Sequence, residues 1–185
     1  MKIRNKILLC FAMVIMAVFS QSASTKTSNS VLAAKTIKAY QIKSENKVDE
    51  FYNLLNILGN PVVKTVLKEQ TILEISKLFK DKNTTIPNLI EDKNTEIKLT
   101  DFLNAVSKST EKITFTPENK GYSYSQGSNE NKSWTIGFDL NIVKGKSKNK
   151  IKNVMQNISL LQEEKQFGTT KKTILNTYFT AIWLK

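Results

Sequence analysis

From Trp134 to Ile142 apolar and polar residues alternate without a break. Trp134, Ile136, Phe138, Leu140 and Ile142 fall on one side, and Thr135, Gly137, Asp139 and Asn141 on the other. A period of two predicts a β-strand with one buried face. Nearer the N-terminus the period is three to four. Val48, Phe51, Leu54, Leu55 and Leu58 predict an amphipathic helix over 47–58. Gly59-Asn60-Pro61 then reads as one helix ending and another beginning: glycine suits the position past the end, asparagine the N-cap and proline the first turn. The second helix is predicted from Pro61 to Lys80, with Val62, Val63, Val66, Leu67, Leu73, Leu78 and Phe79 as its apolar stripe.

Residues 81–97 form a charged connection broken by Ile86-Pro87. A third helix is predicted from Thr100 to Thr110, with Phe102, Leu103 and Val106 inward. Ile113 to Pro117 reads as a short strand and 121–127 as a loop or brief edge strand. Ile151, Val154, Met155 and Ile158 return to helical spacing, residues 158–166 fit helix or strand, and Thr173 to Leu184 is rich in β-branched and aromatic residues, the composition of a closing strand. The fold class is therefore α+β: N-terminal helices, then an antiparallel sheet with a crossover helix, on the ferredoxin-like αββ–αββ plan. The alternative is helices capping a curved sheet, as in NTF2-like and cystatin-like domains.

The first residues have a different character. Lys2, Arg4 and Lys6 precede an unbroken apolar run from Ile7 to Phe19, followed by small and polar residues. Such a run matches the core of a signal peptide and falls short of the roughly 20 residues of a spanning helix. Residues 1–23 are thus expected to be a signal peptide or an uncleaved anchor through 7–19, with the body periplasmic or extracellular. Residues 24–46 read as a polar tether or frayed helix, 47–98 as a helical segment and 99–185 as the α+β domain.

Removing 1–23 takes three of the 28 basic residues and none of the 16 acidic ones, leaving a net charge of +9. It also takes the lone arginine, Arg4, and the lone cysteine, Cys10; histidine is absent throughout. A body without Cys, His or Arg has no disulfide, thiol nucleophile, soft-metal site, Ser-His-Asp triad or bidentate phosphate fork. Composition therefore argues against an enzyme, a metal or a cofactor. Nucleic-acid binding is argued against by the missing arginine and by export, nucleotide binding by the sequence itself. Gly145-Lys146-Ser147 has the context of a phosphate loop, but the glycine that motif needs five residues earlier is replaced by Leu140.

One basic cluster stands out. Lys144, Lys146, Lys148, Lys150 and Lys152 alternate along the connection after the Trp134–Ile142 strand, a candidate contact for an anionic lipid surface. Lysine-rich coding bias is the plainer explanation. Glu163-Glu164 reads as surface charge, and Trp134, Phe138, Phe179 and Trp183 as core.

Three stretches resemble the periplasmic domain of PilO-type pilus-alignment and GspM-type secretion proteins. They are Ile86-Pro87-Asn88-Leu89-Ile90 leading through the third helix to ITFTPEN, then DLNIVKG (Asp139–Gly145) followed by KIKNVMQNIS (Lys150–Ser159), and finally Thr173–Leu184. The resemblance implies an accessory role in a pilus or secretion machine, pairing with a similar domain and without catalysis. The leading expectation is a non-catalytic, exported cell-envelope interaction or assembly protein, with an envelope protein or a second copy as partner. The alternatives are a small periplasmic lipid or ligand carrier and a secreted surface factor.

Overall fold

A computed structural model describes residues 34–91, 95–126, 132–147 and 150–185. The expected signal peptide or anchor, and the tether up to residue 33, lie outside the described residues. Among the described residues no helix is long and apolar enough to cross a membrane.

The described residues begin with a long helix, α1 (Ala34–Leu58). Its C-terminal half is the helix predicted over 47–58, and Val48, Phe51, Tyr52, Leu55 and Leu58 are buried along one side. Residues 34–46, expected as a tether or frayed helix, form its first half. They are held by packing: the Tyr40 ring lies 6.1 Å from that of Trp134, and the buried Ser44 hydroxyl donates to the Tyr40 carbonyl at 2.8 Å.

Gly59 ends α1 without adopting a left-handed conformation. Its role is close approach. Its carbonyl accepts the Ile113 N–H at 2.9 Å, and a Cβ there would lie 2.7 Å from the Ile113 carbonyl oxygen. Asn60 caps a turn rather than a helix, its side-chain oxygen accepting the Val62 N–H at 3.3 Å. The second helix, α2 (Thr65–Leu78), starts four residues later than predicted, with Lys64 at the N-cap.

The connection read as irregular holds a small antiparallel ladder, β1 (Thr85–Pro87) with β2 (Glu96–Lys98), which carries Ile86 into the core. Helix α3 (Leu99–Ser107) buries Leu99, Phe102, Leu103 and Val106. Four long strands complete the chain: β3 (Ile113–Gln126), β4 (Lys132–Lys144), β5 (Lys150–Phe167) and β6 (Thr170–Leu184). They pair in sequence order, each antiparallel to the next.

The α+β class stands, with helices preceding an antiparallel sheet. The crossover helix does not: residues 151–158 are strand β5, and β3 runs through most of the expected loop at 121–127. The second of the three stretches likened to pilus-alignment domains therefore lacks the helix that the resemblance implies. Helices and sheet share one core. Phe51 meets Phe79 and Phe179 edge-on at 5.6 and 5.7 Å, Tyr52 meets Phe138 at 5.5 Å, and Phe102 lies 6.5 Å from Phe115. Such edge-to-face pairs add to the burial of the rings themselves.

Both edges of the sheet are partly closed. Phe79 bridges Phe179 on β6, and the Lys80 N–H donates to the Phe179 carbonyl at 3.1 Å. At β3 the side-chain amide of Asn56 imitates a neighbouring strand. It accepts the Phe115 N–H at 2.6 Å and donates to the Phe115 carbonyl at 3.0 Å. Beyond Leu160 the β5–β6 hairpin continues past the last residue of β4 paired to it, as a two-stranded ribbon turned at Gly168 (φ 61°).

Candidate functional site

Helix α2 carries apolar residues on two sides and uses one for packing. Ile75 and Leu78 are buried, as are Thr71 and most of Lys68, whose ammonium donates to the Ser107 carbonyl at the end of α3 at 2.7 Å. At about 100° per residue Ile75 stands some 180° round from Val66, whereas Leu73 returns to the Val66 side. The outward side is open: Val66 is 66% exposed and Leu73 62%, Leu67 on its flank is 48% exposed, and Val62 in the turn before the helix 84%. Four of the residues expected to form the core stripe therefore face solvent, and of that stripe only Leu78 and Phe79 are buried.

Gln70 stands between Val66 and Leu73 on this side, and Lys64, Glu69, Glu74 and Lys77 surround it with charges of both signs. Glu74 and Lys77 pair with each other at 2.7 Å. Scattered exposed apolar residues are ordinary. Three within eight residues of α2, with Val62 in the turn before it and polar groups around them, make a candidate interaction surface.

The lysines singled out from sequence do not form one patch. Lys144 and Lys146 are exposed at the β4–β5 turn, and Lys148 lies outside the described residues. Lys150 and Lys152 are half-buried, on the side of β5 that points toward the core. The Lys152 ammonium donates to the carbonyls of Glu91 at 2.7 Å and Asn88 at 3.1 Å, so it ties the turn after β1 to the sheet. Two residues apart in a strand means one face, and here that face is the rim of the core.

A small cavity of about 50 Å³ lies beside this turn, lined by Ile90, Ile113, Ile142, Lys144, Ser147 and Lys150. Ligand sites for drug-sized molecules run to several hundred Å³. Glu163, read as plain surface charge, has specific partners on the β5–β6 ribbon. It accepts from the Tyr178 hydroxyl at 2.5 Å and from the Asn176 amide at 2.6 Å. These bonds hold its carboxyl below the usual carboxylate range, and the same Tyr178 bond pushes the phenol up. Of the four aromatics assigned to the core, Trp134, Phe138 and Phe179 are buried, while Trp183 is 40% exposed.

Comparison with protein families, curated proteins and solved structures returns no match to this chain.

Proposed function

We propose that this chain is a non-catalytic interaction protein of the exported compartment, and that the outward side of α2 seats an apolar surface of another protein. The observation that carries the proposal is the exposure of Val66, Leu67 and Leu73 on α2, with Val62 exposed in the turn before it. Mixed charge around them favours a protein over a bilayer. Glu69 and Glu74 oppose an anionic lipid surface, whereas a protein can match Lys64 and Glu69 individually. A helix laid into a groove through side chains at helical spacing is a common form of recognition. The carrier alternative lacks support, because the layer between helices and sheet is filled by Phe51, Tyr52, Phe115, Phe138 and Phe179.

The experiment is site-specific photo-crosslinking in the cell that makes the chain. A photoreactive residue at Leu73 should give a discrete protein adduct, and one at Lys146 should not. An adduct of twice the chain's own mass identifies the partner as a second copy. Lipid adducts from position 73, or equal yields from both positions, would contradict the proposal.

A further inference from the structure

The sheet face turned away from the helices has a character of its own. On β4 and β5, between Ser133 and Val143 and between Ile151 and Leu161, the outward positions hold hydroxyl, amide, glycine and apolar residues and one charge, Asp139. On β3 the exposed Glu118 pairs beside Asp139, so the charges at these positions are two carboxylates and no lysine, in a chain with a net charge of +12. One row crosses all four strands: Gly121 pairs with Gly137, Gly137 with Met155, and Met155 with Trp183. The Met155 side chain lies over Gly137, where an added Cβ would come 2.9 Å from its sulfur. The row is thus a flat apolar strip about 14 Å across at the usual strand spacing, ending at the partly exposed indole of Trp183. Asp139 and Asn153 stand on one side of it, Thr135 and Asn157 on the other.

We infer that this face binds a neutral polysaccharide, with Trp183 as the stacking platform. A sugar ring offers C–H groups on its faces and uncharged hydroxyls around its edge. An indole face suits the first, and side-chain amides and hydroxyls, which both donate and accept, suit the second. The charge match decides the class. An anionic polymer or headgroup would be held by lysines, and this face presents none between Ile151 and Leu161 or between Ser133 and Val143. The surface lies on the opposite side of the sheet from the helices, so the inference does not rest on the role given to α2.

The test uses the full chain in native acidic gels loaded with soluble neutral polysaccharides (a β-glucan, a mannan, a xylan), with dextran sulfate as the anionic counterpart. At least one neutral polymer should retard the protein, and the retardation should survive about 0.5 M NaCl, which screens charges beyond a few ångströms. Trp183→Ala should weaken the binding by at least about tenfold, as loss of a stacking anchor does, and Asn153→Ala by a smaller factor. Trp134, buried and still present, reports through its emission that each variant is folded. No retardation by any neutral polymer, unchanged retardation of Trp183→Ala, or binding to dextran sulfate alone that salt abolishes would overturn the inference.

Discussion

Asn56→Ala removes a side chain that acts as a missing strand. The Asn56 amide satisfies both backbone groups of Phe115, a residue whose side chain is buried beside Phe102 and Tyr52. Alanine leaves an N–H and a C=O without these partners at the covered edge of β3. Each unsatisfied buried group costs about 1–3 kcal/mol. Asn56 is half-buried, so water recovers part of that, and a total of about 2–4 kcal/mol is expected. Against a domain stability of about 5–15 kcal/mol this is a large fraction. At about 2–4 °C per kcal/mol for this chain length, the midpoint should fall by about 5–15 °C. Far-ultraviolet circular dichroism reads the midpoint in a thermal melt and the free energy in urea unfolding, the urea slope staying unchanged because the surface exposed on unfolding is the same. Asn56→Asp sharpens the test. It keeps an acceptor for the Phe115 N–H but sets an oxygen against the Phe115 carbonyl, so it should be no more stable than the alanine variant at neutral pH. A loss below about 0.5 kcal/mol for Asn56→Ala would refute the edge-capping role.

Other outcomes follow from the same geometry. On α2, Ile75→Ala should cost about 2–4 kcal/mol as a cavity in the core, while Leu73→Ala should stay within about 0.5 kcal/mol; both are read by urea unfolding. Lys152→Ala should cost about 1–2 kcal/mol through its bonds to the Asn88 and Glu91 carbonyls, and Lys146→Ala should be neutral in the same assay. Because the folded-state pKa of Glu163 is depressed, its stabilising effect is present above the unfolded carboxylate value and lost as pH falls through the folded one. Tyr178→Phe should therefore raise the Glu163 pKa toward its ordinary value, which a carboxyl NMR titration would show.

Much of the architecture is legible in the chain where period and burial agree. The Trp134–Ile142 alternation, the 48–58 stripe and the Phe102, Leu103, Val106 triplet each mark the side that is buried. The misreading at 151–158 has a specific cause. The inward residues of β5 are Val154, Gln156, Ile158 and Leu160, and the polar Gln156 in a core position hides the alternation. Met155 and Ile151, apolar yet outward, complete a false helical spacing. Residues 34–46 concealed their helix because the position buried among the described side chains, 38–46, is Ser44, which no apolar pattern marks. The outward side of α2 was visible in part. Val66 and Leu73 lie nearly opposite Ile75, so the residues cannot all share one stripe, but sequence does not say which side is covered. The lysine cluster failed for a related reason: spacing shows that Lys150 and Lys152 share a face, and only the fold shows that the face is the core rim.

The central claim is that Val66 and Leu73 serve a partner and not the fold. The double variant Val66→Lys/Leu73→Lys tests it most directly, combining urea unfolding with the cross-link from a photoreactive residue at Leu67. Stability should remain within about 1 kcal/mol of the parent, as expected for exposed sites, while the protein adduct disappears. An adduct that persists, or a loss of several kcal/mol that marks these residues as buried packing, would contradict it.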